Sequence, residues 1–314
     1  FLGRALADGY RERVKLATKL PCWLVETADD FDRLLNEQLE RLQTDHIDFY
    51  LLHALNQESW PKMRDLGVLQ WAEGAIADGR IRHLGFSFHD SPELFIEIVD
   101  AYDQWTFCQI QYNYMDEAFQ AGTRGLEYAA AKGLAVIAME PVRGGRLAGT
   151  PHPVIRKLWD RAPVQRTPAD WALQWVWNRP EVSLLLSGMS TMEQVQQNLA
   201  SAEQSKADSL TPDELALVAQ VKEAYAKLSP VGCTDCKYCM PCPHGVNIPR
   251  NFNVYNEAFM YGIEHGKNGF AWIPAEQRPD ACIQCGECEP RCPQNLPIIE
   301  LLGNVDQLLA KQKN

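Results

Sequence analysis

The sequence predicts an α/β chain: a (β/α)8, or TIM-type, barrel over residues 1–228 that lacks its first two strands, then a small α-rich cysteine-bearing domain over 229–314. Three observations predict it. Six short, nearly continuous apolar runs alternate with longer runs of helical periodicity, as parallel strands covered on both faces require. A polar residue ends five of those runs, at Lys19, His53, Ser87, Asn113 and Glu140, and side chains recurring at C-terminal strand ends are what a barrel's active face is built from. Eight of the ten cysteines fall between Cys233 and Cys292.

The elements follow in order. The strand candidates are Val14–Thr18, Ile47–Leu52, His83–Phe86, Phe107–Tyr112, Leu134–Met139 and Val182–Leu186. Between the first two, Phe31, Leu34, Leu35, Leu39 and Leu42 fall at helical spacing, with charged residues on the other face. Ser91-Pro92-Glu93, Thr167-Pro168-Ala169-Asp170 and Thr211-Pro212-Asp213-Glu214 are helix starts: a capping hydroxyl, proline at the first helical position, then an acid. Ser190 with Glu193 reads as a capping box. Such alternation builds an open doubly wound sheet or a barrel. No glycine-rich dinucleotide fingerprint follows any strand, which counts against the open sheet. Six strands are two short of a barrel, so two strands and a helix are expected upstream of Phe1.

Composition excludes several functions. The 314 residues carry 30 Lys and Arg against 41 Asp and Glu, a net charge of −11, which is wrong for a nucleic-acid backbone binder. No apolar run is long enough to span a membrane, and no signal peptide is visible. Clustered Cys-x2-Cys runs after a cysteine-poor stretch read as metal ligands kept reduced, hence a cytoplasmic protein, and not as a secreted disulfide framework.

The cysteines form two runs. Cys233, Cys236, Cys239 and Cys242 are spaced by two residues each and followed by Pro243; Cys282, Cys285, Cys288 and Cys292 end in a three-residue gap and Pro293. The second run has the spacing of a bacterial two-cluster ferredoxin, in which the fourth cysteine serves the other cluster. One 4Fe–4S cluster is therefore expected on Cys233, Cys236, Cys239 and Cys292, and another on Cys282, Cys285, Cys288 and Cys242. The first run departs from the pattern, with two residues and not three before Cys242. Two structural zinc sites are the competing reading. A helix is expected over Asn253–Tyr261, with Phe252, Tyr255, Phe259, Tyr261, Phe270 and Trp272 as packing. Cys22 reads as a loop thiol and Cys108 as a buried strand thiol.

Residues 1–228 resemble the aldo/keto reductases. The stretches that carry the resemblance are Ala17-Thr18-Lys19, Asp45 through Asp48 to Leu51-Leu52-His53, Gly85-Phe86-Ser87-Phe88-His89 and Gln109-Ile110-Gln111-Tyr112-Asn113. With residues 229–314 the whole chain resembles the branch of that family with a fused ferredoxin-like 4Fe–4S domain. The resemblance implies a catalytic Asp-Tyr-Lys-His set in which Lys19 and His53 take the last two places, while Asp and Tyr precede residue 1. It implies NAD(P)(H) as cofactor, with Ser87 and Gln109 holding the nicotinamide carboxamide. Arg143 would face the pyrophosphate, and the segment bearing Gly188, Ser190, Gln194 and Asn198 the adenosine phosphate. Phe88 and Met139 replace the asparagine and stacking tyrosine of better-known members. Gly188 and Gln194 stand where many relatives carry 2′-phosphate-binding bases.

Two functions follow as expectations. In one, a carbonyl, alcohol or quinone-like small molecule is oxidised or reduced in the barrel in exchange with the two clusters, with a redox protein as a further partner. Hydride carries two electrons together while each cluster passes one, so this requires a substrate that supports single-electron steps. In the other, the barrel is an ordinary NAD(P)H-dependent carbonyl reductase, and its cluster domain is structural or a docking module.

Overall fold

Six strands form where six were expected: β1 (Ala17–Leu20), β2 (Ile47–Leu55), β3 (Ile81–Phe88), β4 (Phe107–Gln111), β5 (Ala135–Met139) and β6 (Val182–Leu185). The computed structural model describes residues 1–310. All neighbouring pairs are parallel, and sheet order is chain order. Parallel pairing in sequence needs a crossover after every strand, and the helices Asp29–Leu42, Val68–Ala77, Pro92–Asp100 and Gly122–Ala131 provide four of them. Their apolar faces point inward: Phe31, Leu35, Ala72, Phe95, Ile98 and Leu126 are fully buried.

Strand limits moved for identifiable reasons. β1 starts three residues later than expected. The Leu16 amide donates to the Asp48 carboxylate at 2.9 Å, and Val14 is left exposed. Asp48 also pairs with Arg11 at 3.0 Å and Lys15 at 3.4 Å, so this motif acid ties the entry of β1 to β2. β2 runs three residues further than expected, through a register shift between Leu52 and Leu55. Ser91 and Thr211 cap their helices as expected, accepting from the Leu94 and Glu214 amides.

The chain divides into two compact units, Phe1–Arg143 with Ala172–Leu210, and Gly144–Trp171 with Thr211 onward. Helices Pro153–Trp159 and Pro212–Lys227 thus group with the cysteine-bearing segment. Within that second unit, Tyr225 packs on Tyr261 at 5.2 Å. Val231, Val246, Ile248, Phe252, Val254 and Phe270 join Ile298, Leu302 and Val305 in its core. The expected 253–261 helix begins earlier, spanning Ile248–Tyr261. Phe252 and Phe270 pack as expected, but Phe259 is partly exposed and Trp272 is 86% exposed. Trp272 therefore does not shield the cysteine sites. Cys22 sits buried in a 3-10 turn and not on an open loop. No described helix is long and apolar enough to cross a membrane.

Gly85 marks the tightest approach in the sheet. A Cβ there would lie 2.5 Å from the Phe107 carbonyl oxygen on the paired strand, and backbone cannot give way as a side chain does. Gly85→Ala is expected to destabilise the fold by about 1–3 kcal/mol in a denaturant titration. Unchanged stability would mean that β3 and β4 separate freely.

Candidate functional site

Because the strands are parallel and in order, their C-terminal ends share one edge of the sheet. In register, Lys19 pairs with Leu51, Leu52 with Phe86, Ser87 with Gln109, and Gln111 with Met139. Lys19, His53, Ser87 and Gln109 therefore come to the same rim from four adjacent strands.

Lys19 is half-buried, and among the described residues no carboxylate pairs with it. Burial holds its pKa below the usual lysine value. His53 is also half-buried, and its pKa is lowered, first by burial and then by the charges of Lys19 and His89. At neutral pH the imidazole is accordingly neutral. The Trp23 indole lies 4.8 Å from its ring, tilted by 57°.

The backbone beside His53 is unusual. Ala54 has φ of 54°, a left-handed conformation that a non-glycine residue keeps only when its surroundings impose it. The register shift of β2 falls here, and such an irregularity re-aims the neighbouring side chain. Ser87 fixes it: the Ala54 amide donates to Ser87 Oγ at 2.8 Å, and the hydroxyl keeps its own proton to donate. Gln109 Nε2 lies 3.1 Å from Met139 Sδ. Trp23 and Ala54 were not singled out in the sequence. No motif marks either one, since a left-handed alanine and an indole set beside a histidine are products of tertiary packing.

The remaining strand-end residues build a support. Asn113 is fully buried and donates to the Glu140 carbonyl at 3.2 Å and to Asp116 at 3.1 Å. Arg143, in the loop after β5, donates from Nε to the same Asp116 oxygen at 3.0 Å. After β6, Gly188 and Ser190 are exposed loop residues. The capping box expected at Ser190 lies one residue later, on Thr191 with Gln194. Gln194 Oε1 accepts from the Ser190 and Thr191 amides at 2.7 and 3.2 Å, and Thr191 Oγ1 accepts from the Gln194 amide. Asn198 donates to Ser187 Oγ at 2.9 Å.

In the second unit the thiols border two cavities. One is lined by Cys239, Cys242, Cys282, Cys285 and Cys288. The other is lined by Cys233, Cys236, Cys239 and Cys292. Each cavity takes three thiols from one run and at least one from the other; Cys239 borders both, and Cys242 borders the first despite the short spacing before it. The Cys233 thiol is pushed up by burial, with Cys236 and Cys292 as charged neighbours when ionised. Cys288 is pushed up by burial, with Cys282 and Cys242 adding to it. Burial raises Cys239 to about 11. Val246, Ile248 and Leu302 wall the first cavity, Ile248, Phe252 and Leu296 the second. Among the described residues no three His, Cys, Asp or Glu side chains converge as they would on a single ion. The thiol donors that line these two hollows fit iron–sulfur clusters.

Cys22 and Cys108 stand apart from this chemistry. Burial pushes the Cys22 thiol up to about 11 and the Cys108 thiol well above its usual range, which leaves both protonated and unreactive.

A family model described as the aldo/keto reductase family matches residues 1–223, and one described as a 4Fe-4S dicluster domain matches residues 232–296. An "uncharacterized oxidoreductase" of Schizosaccharomyces pombe is 27% identical over 166 residues, which is 52% of this chain and 50% of that protein. The chain thus spans about half the length of the curated relative it matches. Among solved structures, the holo form of an aldo-keto reductase from Bacillus halodurans is similar with a TM-score of 0.58 at 24% identity, over 70% of this chain and 75% of that one. A thermostable aldo-keto reductase solved with the inhibitor epalrestat gives 0.57 at 24%, over 70% and 76%. These likenesses show the barrel fold.

Two outcomes follow from the geometry. Lys19→Met removes a positive neighbour, so the His53 pKa is expected to rise, as read by NMR of the imidazole nitrogens. An unchanged titration would mean that the ammonium does not act on His53. Cys292→Ala is expected to take iron from the cavity of Cys233, Cys236 and Cys239, lowering iron from about eight to about four per chain. Damage confined to the Cys282–Cys288 cavity would refute the crossed grouping.

Proposed function

The chain belongs to the aldo/keto reductase family, and from that premise we propose that it is an iron–sulfur oxidoreductase acting on a small carbonyl, alcohol or quinone-like compound. The observation that carries the reading is the pairing of a half-buried, uncompensated Lys19 ammonium with a neutral His53 on one rim of a parallel sheet. A carbonyl oxygen seated there meets an imidazole N–H and a positive charge where negative charge develops during reduction. Preorganised donors of this kind stabilise the transition state more than the ground state. Burial, with the charges of Lys19 and His89, lowers the His53 pKa and so favours the neutral imidazole. The tilted Trp23 indole borders one side of the ring. Ser87 and Gln109 are the carboxamide partners for NAD(P)H, which supplies the hydride when bound.

At the far end of that nucleotide, residues 186–200 hold no lysine or arginine, and Gln194 is folded back into its own cap. Both features favour the dinucleotide without a 2′-phosphate. The two sets of four cysteines are the ligands for two 4Fe–4S clusters, which supply one-electron storage. The alternative, a reductase whose cluster domain serves only its architecture, differs in one respect: electrons from the barrel's reaction then never reach the clusters.

His53→Ala is expected to lower kcat for carbonyl reduction by about 10²–10³-fold while cluster absorbance stays unchanged. Full turnover in that variant would remove the sheet rim as the site. Adding NADH or dithionite to the iron-loaded protein separates the two readings. Bleaching by both, reversed by substrate, supports coupling; bleaching by dithionite alone supports the architectural role.

A further inference from the structure

Asn251 stands in the first turn of helix Ile248–Tyr261 and is fully buried. Its Nδ2 donates to the Asn247 carbonyl and to the Gln277 carbonyl, each at 2.8 Å, which uses both amide protons. The Asn247 amide donates to the same Gln277 oxygen at 3.0 Å. A third contact joins the same two segments: a Cβ on Gly245 would lie 3.3 Å from the Glu276 carbonyl oxygen. Asn251 Oδ1, by contrast, meets no hydrogen-bond partner among the described residues. Burying an amide oxygen unpaired costs free energy that an apolar side chain would not, so the two donated bonds are what this residue contributes. Asn247 comes five residues after Cys242, and Gln277 five before Cys282. Both cysteines line one hollow, together with Val246 and Ile248, the neighbours of Asn247. The long segment between the two cysteine runs is thus closed on itself at Asn251, a few residues from the thiol at each end.

We infer that Asn251 is a positioning residue for the ligands Cys242 and Cys282. By joining the stretch that follows the first to the stretch that precedes the second, its amide sets the separation of two thiols that belong to different runs. Hydrogen bonds outside a ligand shell orient the ligands and tune the hold on the metal. Cys285 and Cys288 are tied to Cys282 by short spacing, so Cys242 is the member of that set whose placement the clip decides. The other hollow takes its cross-run thiol from Cys292, which is held locally. The Cys292 amide donates to the Glu289 carbonyl at 3.1 Å, and its carbonyl accepts from the Asn295 amide at 3.0 Å. Glu289 Oε1 in turn accepts from the Ile299 amide at 3.1 Å. That iron–sulfur clusters fill the hollows rests on the function proposed above; the clip between the two segments does not.

Release of iron to a chelator from the full, cluster-loaded chain tests this, with each site followed by its EPR signal after dithionite reduction. Cys285→Ser and Cys236→Ser, each altering one ligand of one hollow, assign the two signals. Asn251→Leu keeps the branching of the side chain and removes both donors. In it, loss of the site of Cys242 and Cys282 is expected to be at least about tenfold faster, and loss of the other site to change by less than about twofold. Asn251→Ser keeps one donor and is expected to fall between. Should the leucine variant fail to fold, the serine variant decides by the ratio of the two rates. A ratio unchanged from that of the unaltered chain overturns the inference, because a general loosening of the unit speeds both sites alike. Zinc in place of iron in the unaltered chain would defeat the cluster reading alone. The same comparison, read as the two phases of zinc release to a colorimetric chelator, then decides the positioning role.

Discussion

Parallel pairing in chain order is the constraint on which the candidate site depends. Each strand must return to the same starting edge before the next can begin, so every crossover is a helix and every strand ends on one rim. Lys19, His53, Ser87 and Gln109 are 34, 34 and 22 residues apart in sequence, yet adjacent strands carry them side by side. The constraint also explains the price of the site. The rim is where backbone departs from regular geometry, at Ala54, Glu140 and Arg143, and each departure is held by a buried polar contact. Ser87 holds Ala54, and Asp116 with Asn113 holds the turn after β5.

The second unit solves a different problem. Eight thiols, three of them (Cys233, Cys239 and Cys288) pushed up by burial, must be brought around two hollows in a segment with no strand among its described residues. Cys292 of the second run lines the hollow of the first, and Cys239 and Cys242 of the first run line the hollow of the second, so both runs border both hollows. The apolar core of Ile248, Phe252, Ile298 and Leu302 fills the space between them. A site assembled from both ends of the segment would make cluster binding and folding one event.

Much of this was legible in the sequence. The six strands announced themselves because parallel strands bury both faces and so read as unbroken apolar runs. The cysteine spacing marked out the residues that line both hollows. What was not legible arose from contacts between distant residues. The Asp48 carboxylate drew the start of β1 inward through Leu16, Arg11 and Lys15. The helix after β6 starts at Thr191 and not at Ser190, because the Gln194 amide reaches back where Glu193 was read as the partner. Trp272 looked like packing by residue type, yet it stands exposed. The pairing of Arg146 with Glu257 spans 111 residues, and no local pattern encodes it.

The central claim is that two crossed sets of four thiolates hold two iron–sulfur clusters. Anomalous diffraction collected at the iron edge from crystals of the iron-loaded protein addresses it directly. The account expects two compact iron peaks, one bounded by Cys233, Cys236, Cys239 and Cys292 and the other by Cys242, Cys282, Cys285 and Cys288. Two single-atom peaks at the zinc edge, each about 2.3 Å from four sulfurs, would contradict it and leave the second unit a structural zinc module.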